Sequence, residues 1–461
     1  MLDPQIIREL KGLLGRGRVK TDMESLIAYS YDGTFQERLP DVVVKAFDVS
    51  EVSKIMKIAG AYGVPVVPRG AGTGLSGGVV PLKGGIVLEM TAFNRIIEIN
   101  TRNKYAVVEP GVCTNDFAEA VEKAGLFYPP DPASSKSSTL GGNVAECAGG
   151  PRGVKYGVTK DYVMGLELVL PDGEILNVGN QVDGETGWFD LPLLFTGSEG
   201  TLGIITKIIF RLMDKPEQKQ TLLAKYDQVV DAGKTVSSII KNGVIPTTME
   251  IMDRTTIQAV ENFLKIGLDT KKDAFLLLEV DGSKYEVTKQ LEQVKQICLE
   301  CGAVEVETAS TKEESDRLWK ARRSISGACG KINPTKIGED ATVPRSKIPE
   351  MIVRLREIAD KYQLKMVIFG HAGDGNLHPN ILTDKRNSEA MERVEQAVGE
   401  LFNAALSLGG TLSGEHGIGY MKAPFLKMEL GEIGYQTLKK VKEVFDPKGV
   451  LNPGKIFLSD S

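Results

Sequence analysis

The chain has 461 residues, of which 42% are hydrophobic and 25% are charged. This size and apolar content support two or three domains with their own cores, and they exclude a disordered or collagen-like protein. The 56 lysines and arginines against 61 aspartates and glutamates give a net charge of −5, which argues against a dedicated nucleic-acid binder because such a protein needs a basic face.

The first residues indicate a helix and not a targeting segment. Asp3 followed by Pro4 is typical of a helix start, and apolar residues recur after it at helical spacing. A signal peptide would have a basic start and an unbroken apolar core. We also expect no transmembrane helix, because no charge-free apolar stretch of about 18 residues is found. With five cysteines, typical of a reducing compartment, these features predict a cytoplasmic protein, and peripheral docking to a membrane through a partner stays open.

The first half of the chain alternates short apolar runs with glycine-rich turns. Helical spacing, β-branched runs and glycine stops predict the following elements. They are a helix over 49–63, strands over 64–67, 85–90 and 105–111, a helix over 114–125 and a strand over 204–213.

The composition changes at DKPEQKQ (214–220), a charged and proline-bearing stretch typical of a domain boundary. From residue 273 onward, strand–helix–strand patterning predicts an α+β module with a largely antiparallel sheet. A long helix is predicted over 388–408. We therefore expect one domain over 1–215, a second over 216–408, and a C-terminal segment over 409–461 that packs back on the first.

Three long loops are rich in glycine, serine and threonine, and each lies next to a predicted strand. They are PRGAGTGLSGG (68–78), PPDPASSKSSTLGGN (129–143) and GSEGTLG (197–203). Such loops let backbone N–H groups crowd around an anion, since no side chain blocks the approach. Neither the dinucleotide fingerprint nor a Walker loop is matched. The loops favour a phosphate-bearing cofactor bound in another manner, and tight turns in a sheet-rich domain are the alternative.

In this order, the three loops closely resemble the flavin-binding domain of the vanillyl-alcohol oxidase type. Within that superfamily, the chain resembles the FAD-linked D-2-hydroxyacid dehydrogenases, which include the D-lactate dehydrogenase and glycolate oxidase catalytic subunit types. The resemblance covers nearly the whole chain, including LNPGK near its end. It implies an α+β fold: an FAD-binding domain of the vanillyl-alcohol oxidase type plus an α+β substrate (cap) domain with an antiparallel sheet.

The resemblance also implies which residues contact FAD. Those expected to cradle the pyrophosphate are Arg69, Gly70, Ala71, Gly72, Thr73 and Gly74. Those expected to line the flavin are Asp131, Ser135, Thr139, Gly142, Asn143, Gly197, Ser198, Gly203, Ile205 and, from the tail, Asn452. Some members of the superfamily attach the flavin through histidine, but all three histidines here lie outside these loops. We therefore expect non-covalent FAD, with Cys113 and Cys147 as small core residues.

The three histidines, His371, His378 and His416, lie in two glycine-rich loops. Two apparent strands flank HAGDGNLH and predict a hairpin with a six-residue loop over 372–377. His371 and His378 would then be direct cross-strand neighbours with Cβ atoms about 5 Å apart, close enough to share a metal ion. Glu415 adds a carboxylate, and such a set leaves coordination positions open, as catalytic metals require. The alternative is that these histidines cap turns.

GHAGDGNLH and SGEHGIG also resemble the two metal motifs of the family. The resemblance implies that His371, His378 and Glu415 bind a divalent ion (Zn, Mn or Fe) and that His416 is the catalytic base. It also places an arginine three residues after Trp319, at Arg322, to bind the substrate carboxylate. Arg323 is the local competitor, and surface charges on a helix are the alternative interpretation of both arginines.

The leading hypothesis is FAD- and metal-dependent oxidation of a D-2-hydroxy acid to the 2-oxo acid, with D-lactate first and glycolate second. The chain has no nicotinamide fingerprint and no cysteine cluster, so we expect electrons to pass to an electron-transferring flavoprotein or an iron–sulfur subunit. A metal-dependent hydrolase using the His–His–Glu centre and a non-catalytic flavin-binding subunit are the alternatives. The oligomeric state stays open, with a homodimer among the options.

Overall fold

The computed structural model describes residues 2–181 and 189–458. The chain forms two compact units. The first unit comprises Met1–Ala148, Val158–Lys215 and Glu415–Ser461, and the second comprises Gly149–Gly157 and Pro216–Gly414. Compared with the predicted boundaries, residues 149–157 belong to the second unit, and the last boundary follows Gly414 instead of residue 408.

The helices and strands are numbered in chain order. The α-helices are α1 (Pro4–Leu14), α2 (Met23–Ala28), α3 (Val49–Tyr62), α4 (Thr114–Lys123), α5 (Leu140–Glu146), α6 (Gly153–Tyr156), α7 (Leu191–Phe195), α8 (Val229–Lys241), α9 (Arg254–Leu264), α10 (Lys284–Glu300), α11 (Lys312–Arg323), α12 (Ile325–Gly330), α13 (Ile348–Lys361), α14 (Ser388–Ser407) and α15 (Leu426–Phe445). The strands are β1 (Val19–Lys20), β2 (Val42–Lys45), β3 (Val66–Arg69), β4 (Ile86–Glu89), β5 (Ile96–Asn100), β6 (Tyr105–Val108), β7 (Leu126–Phe127), β8 (Val163–Val169), β9 (Ile175–Gly179), β10 (Ile204–Arg211), β11 (Met213–Asp214), β12 (Gln218–Tyr226), β13 (Thr248–Asp253), β14 (Ala274–Gly282), β15 (Ala303–Thr308), β16 (Thr335–Gly338), β17 (Ala341–Thr342), β18 (Lys365–His371) and β19 (Asn376–Thr383).

Most predicted elements are present, with ends shifted by a few residues. The N-terminal helix begins as predicted, since the Asp3 side chain accepts a hydrogen bond from the backbone N–H of Gln5 and Pro4 occupies the first turn. In the described part of the chain, no helix combines the length and the apolar character that crossing a bilayer requires.

The first unit contains two larger sheets. In one, the order is β1-β2-β4-β3, and β4 pairs in parallel with both β2 and β3. All four residues of β4 are buried, as expected for a parallel strand covered on both faces. The loop over 70–78 starts where β3 ends. The second sheet is antiparallel, with the order β5-β6-β10-β8-β9.

The second unit is built on an antiparallel sheet with the order β15-β12-β14-β13-β18-β19-β16, and β17 also pairs with β19. Its central strands are almost entirely buried, including every residue of β13 and β19. Charged and histidine side chains on these strands therefore lie inside the protein, where they need polar partners.

An aromatic cluster joins helix α4 to the second sheet of the first unit and to the start of the loop over 129–143. The ring of Phe117 lies 4.9 Å from that of Tyr128 and 5.8 Å from that of Phe210, measured between centroids. All three side chains are buried. Such a cluster contributes both apolar burial and edge-to-face contacts.

We predict that Phe117→Ala destabilises the first unit by about 3–5 kcal/mol, because it leaves a cavity in this cluster. Differential scanning calorimetry should show an earlier first transition. Ile433→Ala is the matched control, since Ile433 is 85% exposed and its truncation should change stability by less than about 0.5 kcal/mol. Equal melting curves for the two variants would contradict this role of Phe117.

Candidate functional site

Two neighbouring cavities of the first unit are formed largely by the three glycine-rich loops. The larger occupies about 900 Å³, including space open to solvent, and is lined mainly by residues of the first two loops. The smaller, of about 580 Å³, is lined by residues of all three. Gly70, Thr139 and Glu146 line both cavities. The loops that the sequence singled out thus converge on one place.

The first two loops approach each other too closely for a side chain at Gly70. A β-carbon there would lie 2.3 Å from Thr139 Oγ1. That hydroxyl is itself engaged, because it accepts a hydrogen bond from the Gly142 N–H at 3.3 Å and caps helix α5. Gly72 adopts φ +69°, which L side chains rarely adopt. The result is a cradle of backbone groups that fits an anionic cofactor.

Most of the predicted cofactor residues line these cavities. The larger cavity is lined by Gly70, Ala71, Gly72, Thr73, Gly74, Thr139, Gly142 and Asn143, and the smaller by Arg69, Gly203 and Ile205, among others. The described residues that line the two cavities do not include five of the predicted ones, namely Asp131, Ser135, Gly197, Ser198 and Asn452.

Two residues of this last group instead support the loops. Ser198 Oγ donates to the carbonyl of Phe195. Asn452 Nδ2 donates to the carbonyls of Gly78 and Glu199, at 3.0 and 2.8 Å. Contact of this group with FAD stays a prediction.

Three acidic residues at the cavities were not predicted from the sequence. Asp32 and Glu146 line the larger cavity, and Glu146 and Glu199 line the smaller one. Glu199 accepts hydrogen bonds from the N–H groups of Ile418 and Gly419, both at 2.6 Å. For Glu199 and Glu146 the available signal was an acidic residue inside a glycine-rich loop (GSEGTLG) and at the end of helix α5 (LGGNVAE), where a solvated charge is not expected.

The loop that contains Glu415 and His416 is fixed onto the first glycine-rich loop. The N–H groups of Tyr420 and Met421 donate to the Ser76 carbonyl at 2.9 and 3.0 Å. Glu415 and His416 line the larger cavity. The first unit therefore contains a histidine and a carboxylate at its cofactor cavity.

In the second unit, β18 and β19 form the predicted hairpin, but the predicted six-residue loop is wrong. His371 pairs with Asn376, and His378 pairs with Phe369, so the turn has only residues 372–375. The shorter turn is possible because Gly375 adopts φ +92°. His371 and His378 are diagonal neighbours on one face of the sheet and not directly opposite each other. Their ring centroids are 4.9 Å apart, edge to face.

A buried carboxylate holds each of these two histidines. Glu250 lies opposite His371 in the sheet register, and its Oε1 lies 2.5 Å from His371 Nδ1. Asp340 Oδ1 lies 3.2 Å from His378 Nδ1. Asp340 Oδ2 also accepts from Ser413 Oγ and the Gly414 N–H. Glu250 and Asp340 were not predicted from the sequence.

Arg322 joins this network through Glu250. Its Nε donates to Glu250 Oε2 at 2.5 Å, and its Cζ lies 4.9 Å from the centre of the Phe369 ring. Burial alone would raise the pKa of Glu250, but Arg322 and then His371 lower that pKa below its usual value. Arg322 is buried, whereas the competitor Arg323 is exposed. Arg322 is therefore the arginine placed next to the histidine pair.

The structure divides the predicted metal and base residues between the two units. His371 and His378 belong to the second unit, and Glu415 and His416 belong to the first. A common metal site for His371, His378 and Glu415 stays a prediction.

Comparison with known proteins identifies the family. Residues 40–179 match a family described as an FAD binding domain, and residues 215–456 match the C-terminal domain of FAD linked oxidases. The glycolate oxidase subunit GlcD of Bacillus subtilis (strain 168) is 50% identical over 436 residues, which cover 94% of this chain and 93% of that protein. The chain belongs to the FAD-linked oxidases.

A D-lactate dehydrogenase of Anaerostipes hadrus is also similar to this FAD-linked oxidase, at 35% identity over 98% of this chain and 97% of that protein. The structure of p-cresol methylhydroxylase has the same fold, with a TM-score of 0.81 at 18% identity over 99% of this chain and 96% of the other. The predicted family, the α+β fold of the vanillyl-alcohol oxidase type and the FAD cofactor are confirmed. The protein is an FAD-dependent oxidoreductase.

We predict that Gly70→Ala weakens FAD binding by about tenfold or more, since the new β-carbon forces Thr139 or the loop to move. Fluorescence titration of the apoprotein with FAD measures the dissociation constant. The control is Gly12→Ala in helix α1, where a β-carbon meets nothing within 4 Å. Wild-type affinity in both variants would contradict a tight cradle at Gly70.

Proposed function

We propose that this FAD-linked oxidase oxidises a small 2-hydroxy acid to the 2-oxo acid with the help of a divalent cation. The observation that carries the proposal is the buried pair His371 and His378, each held through Nδ1 by its own carboxylate and placed beside Arg322. The named relatives support the substrate class, since glycolate and D-lactate are both 2-hydroxy acids. Glycolate precedes D-lactate in our proposal, because the glycolate oxidase subunits are the more similar of these relatives.

The donor set fits a divalent metal such as zinc, manganese or iron. A histidine that binds a metal usually bonds through its other ring nitrogen to a carboxylate, which fixes the ring and its tautomer. Glu250 and Asp340 provide this arrangement for His371 and His378. Their Nε2 atoms would coordinate the cation, together with Glu415. Two imidazoles and one carboxylate suit an ion with open positions for a substrate.

The protein's own residues bind the substrate and move its proton. When bound, FAD accepts the hydride equivalent and the cation makes the substrate hydroxyl more acidic. His416 would accept the hydroxyl proton as a general base, a role typically worth about 10²–10⁴-fold in rate. Arg322 would bind the substrate carboxylate through its Nη groups, because its Nε already donates to Glu250.

We further propose that a partner protein receives the electrons. An electron-transferring flavoprotein or an iron–sulfur subunit would suit, since the sequence has no nicotinamide fingerprint and no cysteine cluster for onward transfer. Relatives named as subunits of glycolate oxidase include the protein of Bacillus subtilis.

Anaerobic reduction of the bound flavin tests the substrate class. We expect glycolate and D-lactate to bleach the visible flavin absorption, and L-lactate to be slower by at least about tenfold. When the carboxylate and the hydroxyl are both fixed, the two enantiomers of lactate place the α-hydrogen on opposite sides, so only one enantiomer is well oriented for reaction. Re-oxidation by a set of artificial acceptors and by O₂ then ranks the acceptors. A yellow protein that no 2-hydroxy acid bleaches would rule out the proposal. Hydrolysis of esters or phosphate esters without bleaching would indicate a metal hydrolase.

Replacement of Asp340 tests the metal site separately. We expect Asp340→Asn to lower metal affinity by about 10–100-fold, because the charged partner that orients His378 is lost. The matched control is Asp384→Asn, which makes the same replacement of a carboxylate by an amide in an ion pair with Arg386 at the surface. Metal content after dialysis against a buffered zinc or manganese solution is the measurement, with FAD content recorded in parallel. Equal metal content in the two variants would argue against Asp340 as the orienting group.

A further inference from the structure

Glu146 occupies an unusual place among the residues around the two cavities. It is the last residue of helix α5 and lines both cavities. Its carboxyl is enclosed by glycines of two loops. A β-carbon on Gly78 would lie 2.9 Å from its Oε1, and one on Gly417 would lie 2.3 Å from its Oε2. Side chains at these positions would displace the carboxyl.

One oxygen of this carboxyl lacks a hydrogen-bond partner. Oε2 of Glu146 is buried and has no such partner among the described residues. A buried polar atom without a partner is rare in folded proteins, since its lost hydration is not replaced. Because Glu146 lines both cavities, a molecule bound there can supply the partner that this carboxyl lacks.

The surroundings favour the neutral form of this group. Burial raises the pKa of Glu146 well above its usual value, and the nearby Glu199 and Asp32 raise it further. Lys422 opposes this shift to a lesser extent. A neutral carboxylic acid can donate a hydrogen bond, which a carboxylate cannot. It also avoids the repulsion that an anion would have with a pyrophosphate.

We propose that Glu146 is a cofactor-contacting residue whose carboxylic acid group donates a hydrogen bond to bound FAD. This role depends only on FAD binding by the first unit. It is independent of the metal, the hydroxy acid and the electron acceptor.

Two variants separate the hydrogen bond from the charge. Glu146→Gln keeps a donor and the size of the side chain but has no charge. Glu146→Leu has a similar volume without a donor. The apoprotein of each is titrated with FAD, and flavin fluorescence gives the dissociation constant. We expect affinity within about threefold of wild type for Glu146→Gln, and about tenfold or greater weakening for Glu146→Leu.

Melting curves of the apoproteins and of the FAD-saturated proteins complete the test. We expect similar apoprotein melting temperatures, and a smaller FAD-induced rise for Glu146→Leu alone. Glu146→Met replaces the leucine variant if the latter does not fold. Wild-type affinity in the leucine or methionine variant would exclude a contact between Glu146 and FAD. Equal weakening in the glutamine variant would show that the negative charge is needed, which would overturn the proposal.

Discussion

The cofactor cavities depend on backbone segments that approach each other more closely than side chains would allow. A β-carbon on Gly419 would lie 2.2 Å from the carbonyl oxygen of Ser76. The same carbonyl accepts the hydrogen bonds that fix the loop after His416. Together with the hydrogen bonds from Ile418 and Gly419 to Glu199, this contact fixes the position of the loop at the larger cavity. Glycine is thus required at the points where these loops meet, because a side chain there would push the segments apart.

In the second unit, buried carboxylates have the corresponding role. An isolated carboxylate inside a sheet is costly, so Glu250 is stable there only with positive or donating partners. Arg322 and His371 are those partners. The same contacts orient the imidazole ring and hold the guanidinium next to it. These contacts therefore offset the cost of burying the charge of Glu250, and they also fix the positions of His371 and Arg322.

Much of the fold and the cofactor loops could be predicted from local patterns, but the pairing of the histidine strands could not. A hairpin with a four-residue turn and one with a six-residue turn place the same side chains on the same faces, because the two registers differ by two residues. Periodicity cannot separate them. Glu250 lies 121 residues before His371 in the chain, and only its position between Met249 and Ile251 indicates a buried charge that needs a partner. Long-range pairing of this kind is decided by tertiary packing.

The chain passes between the two units four times, after Ala148, Gly157, Lys215 and Gly414. Neither unit is therefore encoded by one uninterrupted stretch. A truncation after Lys215 would remove Lys442, which donates to the Thr201 carbonyl, and Asn452, which bridges Gly78 and Glu199. The larger part of the second unit is, in topological terms, an insertion into the first. A stand-alone flavin module would have to be made by excising that insertion and rejoining the ends, and not by shortening the gene.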